Sequence, residues 1–499
     1  MADIVEIERK YDVDHDFTVP DLRELPSGSS VSRPETHLLV ANYFDTDDLR
    51  LATHGITLRR RRGGGDAGWH LKIPAGPDAK NELRAPLGKA QTVPSRLTAL
   101  VTAFTRGEKL RPVARLETRR TVVRVFGDDG RVLAEVADDS VSGQRLDQVV
   151  DDTTVTAWRE IEVELVEGSS ELLAAAGKLL LKAGARRADA TSKLGRLLKV
   201  PTNAGIPREK WSTAGDVAVG YVKDQLAALL RHDPKVRLQE YDAVHKMRVA
   251  VRRTRSILKS YGAVLDRERT DPLQPELKWL ADALGEVRDL EVLRERFTAR
   301  LAELRGLVGD GTHAWLDALA EEEQAAYRRL FAILKEPRYF ALLEALESLV
   351  AAPPLTERAA RPIDDEVPRL VIRSWRRLAR AYASIEDASD HDAARHETRK
   401  AAKRARYTAE AAATALGKPA ANVAAQAESL QEVLGRFQDG VIAQERLAGT
   451  AATVTDPREV FTLGALSGME HCAAAEALRE VDAVWQRASD PKYLRRLRA

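Results

Sequence analysis

Cysteine is nearly absent from this 499-residue sequence: Cys472 stands alone, so no internal disulfide and no four-cysteine zinc site can form. Aromatic residues are scarce too, at 5%, which leaves Leu, Val and Ala to build the cores, as in helix bundles whose backbones approach closely. Net charge is almost missing. There are 78 Lys and Arg against 76 Asp and Glu, a formal +2 that excludes a uniformly basic nucleic-acid coat and an acidic solvating tail. Nowhere do 18 apolar residues run together, and charge begins with Asp3, so neither a membrane span nor a signal peptide is expected. A reducing, cytoplasmic setting fits these absences.

What is present is 44% hydrophobic and 31% charged residues, enough for real cores and against disorder throughout. At roughly 100 to 200 residues per domain, two to four domains are expected. The grammar changes once along the chain. Up to about Val200 the apolar pattern has period two, as in Ile4 to Lys10, Trp69 to Ile73, Thr121 to Val125 and Ile161 to Leu165, with turns such as Gly63 to Gly65 and Asp128-Asp129-Gly130. That half reads as antiparallel strands, interrupted by helical spacing in Pro94 to Phe104 and Ser170 to Ala183. From about Ala214 the spacing is helical throughout. Pro201, Gly205 and Pro207 mark a linker over 201–213, and Pro353 to Pro368 divides the helical half.

Residues two apart in a strand share a face. Glu6, Glu8 and Lys10 therefore point one way, as do Glu160, Glu162 and Glu164, backed by Ile161, Val163 and Leu165. The same parity groups Arg59 with Arg61, His70 with Lys72, and Glu82 with Arg84. For one segment, a solvated face is the ordinary explanation of such alternation. Its repetition across at least five strands points instead to a barrel with a charged lumen and an apolar outside covered by helices. Carboxylates converging there are hard oxygen ligands suited to Mg²⁺ or Mn²⁺, which takes its remaining ligands from water and phosphate.

Glu6-Ile7-Glu8-Arg9-Lys10, Asn42-Tyr43-Phe44-Asp45-Thr46, Leu49 to Arg62, Trp158 to Leu165 and Thr191-Ser192-Lys193-Leu194 resemble, in order, the CYTH family of triphosphate tunnel metalloenzymes. The resemblance covers residues 1–200. It implies an eight-stranded antiparallel tunnel that holds a triphosphate and, in most members, hydrolyses it with a divalent cation. By position, Glu6, Glu8, Lys10, Glu160 and Glu162 are then the catalytic set. Glu6, Glu8 and Glu162, with Asp138 or Asp139, are the metal ligands. Arg59, Arg61, Lys72, Arg84, Arg120 and Lys193 grip the phosphates; Arg119 and Arg120 face opposite ways, and family spacing favours Arg120. The role of Glu164 stays open. No activated Ser, His or Cys arrangement is recognisable.

The helical half repeats itself. His245, Arg248, Arg252 and Arg255 recur as His396, Arg399, Lys403 and Arg406, and Leu280, Leu284, Gly285 and Asp289 recur as Leu430, Leu434, Gly435 and Asp439. A tandem duplication follows, with halves at about 214–352 and 369–499, each a small helix bundle. With Lys259, the first set forms one stripe along a helix, while Met247, Val251, Thr254 and Leu258 form an apolar one. Glu410 stands where the first copy has Lys259. Basic stripes are often paired with acids, here Asp289 and Asp439, but duplication favours a binding surface. His245-Lys246-Met247-Arg248, Arg252 to Arg255 and Leu284 to Asp289 resemble the CHAD family, which implies inorganic polyphosphate binding over 214–499.

The expected fold is thus α+β and multidomain: an eight-stranded β tunnel with covering helices, then an all-α domain of two duplicated bundles. The expected activity is metal-dependent hydrolysis of inorganic triphosphate in a cytoplasmic protein that also binds inorganic polyphosphate, an affinity that would attach it to polyphosphate granules. The alternatives are an organic triphosphate substrate (nucleoside or thiamine triphosphate, or cyclisation of ATP) and a non-catalytic polyphosphate-binding or granule-associated protein. Neither a specific nucleic acid nor a membrane is an expected partner, because the basic helices lack the interleaved aromatics of single-strand binders.

Overall fold

Alternation of charged and apolar residues is what closes the first half of the chain on itself. A computed structural model describes residues 4–25, 28, 30–76, 78–89, 92–146, 155–200, 208–308 and 312–497. Two units emerge, 1–204 and 205–499; most of the expected linker, 201–207, lies outside the described residues. The first unit is built on eight long strands: β1 (Ile4–Val13), β2 (Glu35–Asp45), β3 (Thr57–Arg62), β4 (Gly68–Pro74), β5 (Ala79–Ala85), β6 (Arg111–Phe126), β7 (Val132–Arg145) and β8 (Thr156–Leu165). They pair antiparallel in the order β1-β5-β4-β3-β2-β6-β7-β8, and β8 returns to β1 from Ile7↔Leu165 to Val13↔Arg159. The expected eight-stranded tunnel is therefore closed.

The outer face of the barrel is apolar. Helix α2 (Ser170–Lys182) lays Leu172, Leu173, Ala176 and Leu180 on Tyr11, Val13, Ile161 and Val163. Closeness there depends on Gly177, where a Cβ would lie 2.4 Å from the Tyr11 hydroxyl. Helix α3 (Lys193–Leu198), capped by Ser192, packs Leu194 and Leu197 against Trp158 and Val141. A further helix, α1 (Ser95–Thr105), buries Leu97, Leu100 and Val101. The Asn42 to Thr46 block has a structural reason of its own. The Asp45 carboxylate accepts the backbone N–H groups of Thr46, Leu51 and Ala52 at 2.7, 2.9 and 2.9 Å, fixing the turn that leads into β3.

The second unit is helical: α4 (Ala214–Arg237), α5 (Ala243–Ser260), α6 (Leu273–Val308), α7 (Ala314–Ile333) and α8 (Pro337–Ala351), then α9 (Ile363–Ala383), α10 (His391–Leu416), α11 (Lys418–Ala451) and α12 (Pro457–Ala488). Thr213 and Asp216 form a reciprocal capping box at the start of α4. Pro368 does not divide the copies as expected. It is the sixth residue of α9, which begins at Ile363, so it lies past the first turn and removes one interior hydrogen-bond donor from that helix. Met247, Val251, Thr254 and Leu258 of α5 are buried. Ala402, Ala405, Ala409 and Ala412 do the same for α10, so small residues let these backbones approach. The two stripe-bearing helices, α5 and α10, pack on each other.

Candidate functional site

Strand parity sends the charged residues of the first unit inward. The lumen is lined by Glu6, Glu8 and Lys10 from β1, Tyr43 from β2, Arg59 and Arg61 from β3, and Lys72 from β4, with Lys80, Glu82 and Arg84 from β5. Arg120 and Arg124 from β6, Glu135 from β7, Glu162 and Glu164 from β8, and Lys193 at the start of α3 complete it, around about 330 Å³ of free space. Register explains the choice within each ambiguous pair. Arg120 lies opposite Asp139, whereas Asp138 lies opposite Ile161 on the outer face. There Asp138 accepts Arg159 through both oxygens, at 2.9 and 2.7 Å. Asp138 is thus removed from the candidate metal ligands, because one step along a strand reverses the face.

Acids and bases in the lumen are interleaved. Lys72 donates to Glu6, while Glu8 accepts Lys10 at 3.0 Å and Lys80 at 2.8 Å. Arg120 reaches Asp139 at 2.8 and 2.6 Å and also donates to Glu162, to which Lys10 donates as well. Arg59 donates to the Tyr43 hydroxyl at 3.3 Å. Burial alone would push Glu8 up, but Lys10, Lys80 and Lys72 hold it well below the usual carboxylate range. Burial pushes Arg61 down, and the neighbouring charges of Arg59 and Arg120 add to that. Such a guanidinium gains from any anion that enters.

Three carboxylates, those of Asp139, Glu160 and Glu162, come within 4.8 Å of one another, a spacing that suits a metal ion. The Lys193 ammonium already sits among them, at 2.8, 2.8 and 2.6 Å. It neutralises the trio, and Trp158 donates its indole N–H to Glu160 at 2.6 Å. Lys193 and Asp139, expected to grip phosphate and metal respectively, are thus engaged with each other.

The opposite condition holds around Glu6 and Glu164. Glu164 lies across from Glu8 in the β1–β8 ladder, and among the described residues no cation or donor binds it. Burial, reinforced by Glu6, Glu8 and Glu162, pushes it up to about 7. Glu6 is also raised, by burial and by Glu82, against the pull of Lys72. An excess of buried negative charge made of hard oxygen donors fits a divalent cation, with Glu6, Glu8 and Glu164 as its holders and Glu162 beside them.

Sequence reasoning missed Lys80 and Asp66 and left Glu82 and Glu164 without roles. Alternation would have found Lys80, two residues before Glu82. Asp66 sits in the glycine turn after β3, where parity fails, and pairs with Arg61. His70, apparently alone in the sequence, is a buried strut between Glu82, 2.8 Å from Nδ1, and the Asp66 carbonyl, 2.9 Å from Nε2.

In the second unit, packing of α5 on α10 merges the two basic stripes. Arg252 faces Arg399 and Arg406 as well as Arg248, and Lys403 faces Arg252, Arg399 and Arg248 with Asp439 as the nearby acid. Burial and these like charges push Lys403 down to about 6. His245 is lowered by burial, then by Arg288, and His396 by burial, then by Lys400. Arg255 and Lys259 meet two cations that no stripe announced, Arg404 and Arg377. Arg406 does not belong to the free set: Glu410 and Glu428 bind it at 2.7 and 2.8 Å. Arg248 and Arg399 touch Asp289 and Asp439 at 3.0 and 3.5 Å.

Fold and lumen define a charged-tunnel protein carrying a duplicated helical unit. Residues 5–198 match the CYTH domain, and residues 220–448 match the CHAD domain. The sequence is 36% identical to "Uncharacterized protein Rv2226" of Mycobacterium tuberculosis, over 97% of this chain and 98% of the relative. The chain belongs to the family in which a CYTH domain precedes a CHAD domain. CYTH proteins are tunnel metalloenzymes that act on triphosphates. Among solved structures, PptA from Streptomyces chartreusis is 24% identical, with a TM-score of 0.46 over 55% of this chain and 100% of its own. The CHAD domain from Ricinus communis is 23% identical, with a TM-score of 0.44 over 56% and 92%. No helix among the described residues is long and apolar enough to cross a membrane.

Proposed function

We propose that the tunnel hydrolyses inorganic triphosphate with Mg²⁺ or Mn²⁺, and that the helical unit binds inorganic polyphosphate and so ties the enzyme to polyphosphate granules in the cytoplasm. The observation that carries the first half is the closed lumen in which Lys10, Arg59, Arg61, Lys72, Arg84 and Arg120 converge on one elongated space beside carboxylates that lack a full complement of cations. Phosphoryl transfer through a loose transition state needs positioning and charge stabilisation more than a nucleophile from the protein. Arg59, Arg61, Lys72 and Arg84 clamp the chain of phosphates. Glu6, Glu8 and Glu164 are the residues suited to hold the divalent cation, which when bound neutralises phosphate oxygens. Water, oriented by a lumen carboxylate, attacks the terminal phosphorus; the bond to the bridging oxygen breaks, and diphosphate leaves. Among the described lining residues the rings are those of Tyr43, whose hydroxyl Arg59 engages, and His37, a small aromatic surface for a base or a thiazolium.

Support for the second half is the α5–α10 seam, where Arg252, Arg255, Lys259, Lys403 and Arg404 have no ion-pair partner among the described residues. The test is phosphate release from inorganic triphosphate, ATP and thiamine triphosphate by the full chain and by Glu8→Gln, with and without Mn²⁺. We expect metal-dependent release from inorganic triphosphate, reduced at least roughly a hundredfold in the variant. Clear preference for an organic substrate would replace the substrate assignment, and no release from any would leave a binding protein.

A further inference from the structure

The duplicated block Leu280, Leu284, Gly285, Asp289 and Leu430, Leu434, Gly435, Asp439 contains more than core residues. Its four leucines are fully buried, which accounts for them. Its two glycines are unexplained by packing of leucines, since each lies inside a long helix, α6 or α11, where glycine weakens a helix relative to alanine. Close approach supplies the reason, and in both copies it is the approach of the same side chain. A Cβ on Gly285 would lie 2.9 Å from Nη2 and 3.3 Å from Cζ of Arg248. On Gly435 it would lie 3.1 Å from Nη2 and 3.4 Å from Nε of Arg399. One turn further along each helix, Asp289 stands 3.0 Å from Arg248 Nη1 and Asp439 stands 3.5 Å from Arg399 Nη2. In both arginines Nε is shielded from solvent and has no hydrogen-bond partner.

We propose that Gly285 and Gly435 are positioning residues for polyphosphate binding: each leaves a notch in its helix where Arg248 or Arg399 rests beside an anchoring aspartate and faces the α5–α10 seam. The proposal rests on the reading of the helical unit as a polyphosphate binder. A guanidinium is planar, so contact with bared helix backbone on one side limits its orientations, and an arginine fixed before the ligand arrives loses less freedom on binding. The aspartate side chains are 66% and 41% exposed, so their ion pairs are weak fixatives by themselves. The notch is the stronger constraint. It also sets apart Arg248 and Arg399 from Arg252 and Lys403, which face other cations and have neither a notch nor an ion pair within 4 Å among the described residues.

Binding of long-chain inorganic polyphosphate to the full chain tests this, by titration calorimetry at fixed salt. Four proteins are compared: the natural chain, Gly285→Ala/Gly435→Ala, Arg248→Ala/Arg399→Ala, and the variant combining all four changes. The glycine variant should bind roughly tenfold more weakly, and the four-change variant should bind as the arginine variant does, because the glycines act through the arginines. Thermal unfolding adds a readout of opposite sign. Alanine at the two glycines should raise the melting temperature once the arginines are gone, since only the helix preference then remains. Unchanged affinity in the glycine variant, with weakened binding in the arginine variant, overturns the positioning role and leaves the binding reading intact. Equal weakening by the glycine changes in both backgrounds overturns it also, because the effect then passes through the fold. Unchanged affinity in the arginine variant overturns both.

Discussion

Replacing Lys193 with methionine keeps the length of the side chain and removes its charge. The consequence can be worked from the three carboxylates around it. Asp139 and Glu162 would keep Arg120, and Glu162 would keep Lys10, but Glu160 would retain only the Trp158 indole N–H. Removing one member of a buried ion pair destabilises by roughly 3–5 kcal/mol, because the remaining charge stays buried without its partner. The retained cations argue for the lower part of that range, about 3–4 kcal/mol. In a unit of this size each kcal/mol moves the melting temperature by about 2–4 °C, so the first-unit transition should fall by about 6–16 °C at pH 7.

The pH dependence has a definite sign. In the natural chain burial would raise Asp139 and Glu162, but Lys193 and Arg120 hold both down, joined at Glu162 by Lys10, so their contribution is present above the ordinary carboxylate range and lost as pH falls from it toward the lowered native values. In Lys193→Met, Asp139 and Glu162 lose one of the cations that hold them down and so move back up. Acid then relieves the variant before it harms the natural chain, and the gap between the two should narrow from pH 7 to pH 5. Differential scanning calorimetry of the full chain measures this. Mn²⁺ should stabilise the variant through the vacated trio. An unchanged melting temperature, a gap that widens in acid, or Mn²⁺ protection of the natural chain that depends on Asp139 and not on Glu8 would each refute Lys193 as the resident cation.

Three further outcomes follow from individual residues. Glu164→Gln should raise the Mn²⁺ concentration needed for half-maximal triphosphatase activity by roughly tenfold or more, because it deletes a lumen carboxylate that no cation contacts directly among the described residues; an unaltered metal requirement would exclude it as a ligand. Polyphosphate affinity should rise as pH falls from 8 to 5.5, since Lys403, lowered to about 6, and His245 and His396, both lowered, gain protons beside Arg248, Arg252 and Arg399; Lys403→Arg should flatten that profile, and an identical slope would contradict it. Gly177→Ala should destabilise the first unit by about 1–3 kcal/mol in urea unfolding, because its Cβ would meet the Tyr11 hydroxyl at 2.4 Å, whereas the same change at Gly468, which meets nothing, should be neutral or stabilising.

Strand parity made most of the lumen legible in the sequence, since Glu6, Glu8 and Lys10, or Arg59 and Arg61, cannot separate once Val5, Ile7 and Leu58 face outward. Parity could not choose between Asp138 and Asp139, because that depends on a register fixed by partners far along the chain. Nor could it assign Lys193, which lies at a helix start where no alternation operates, or Asp66, which lies in a turn. Helical spacing showed two stripes without showing that α5 and α10 meet, so Arg377 and Arg404 remained invisible. The Arg406–Glu410 pair is a different matter: its spacing of four residues was readable as a salt bridge, and the repeat drew attention to the position instead.

The two cation-rich regions solve like-charge crowding in opposite ways, and that difference has a consequence. Among the described residues the lumen is lined by nine lysines and arginines and seven acids, so these charges nearly cancel. A triphosphate that engages the lumen lysines draws Lys72 from Glu6, or Lys10 and Lys80 from Glu8. The carboxylates so released, together with Glu164, then need another cation. Triphosphate and divalent metal must therefore strengthen each other's binding, by reciprocal linkage. Among the described residues the helical seam holds Arg252, Arg255, Lys403 and Arg404 without paired acids, so a polyanion bound there would displace no carboxylate and call for no metal. Chelation should release a non-hydrolysable triphosphate analogue from the tunnel and leave polyphosphate on the helices, as separate equilibrium titrations would show. Equal loss from both would mean that the acids of the tunnel are not what couples phosphate to metal.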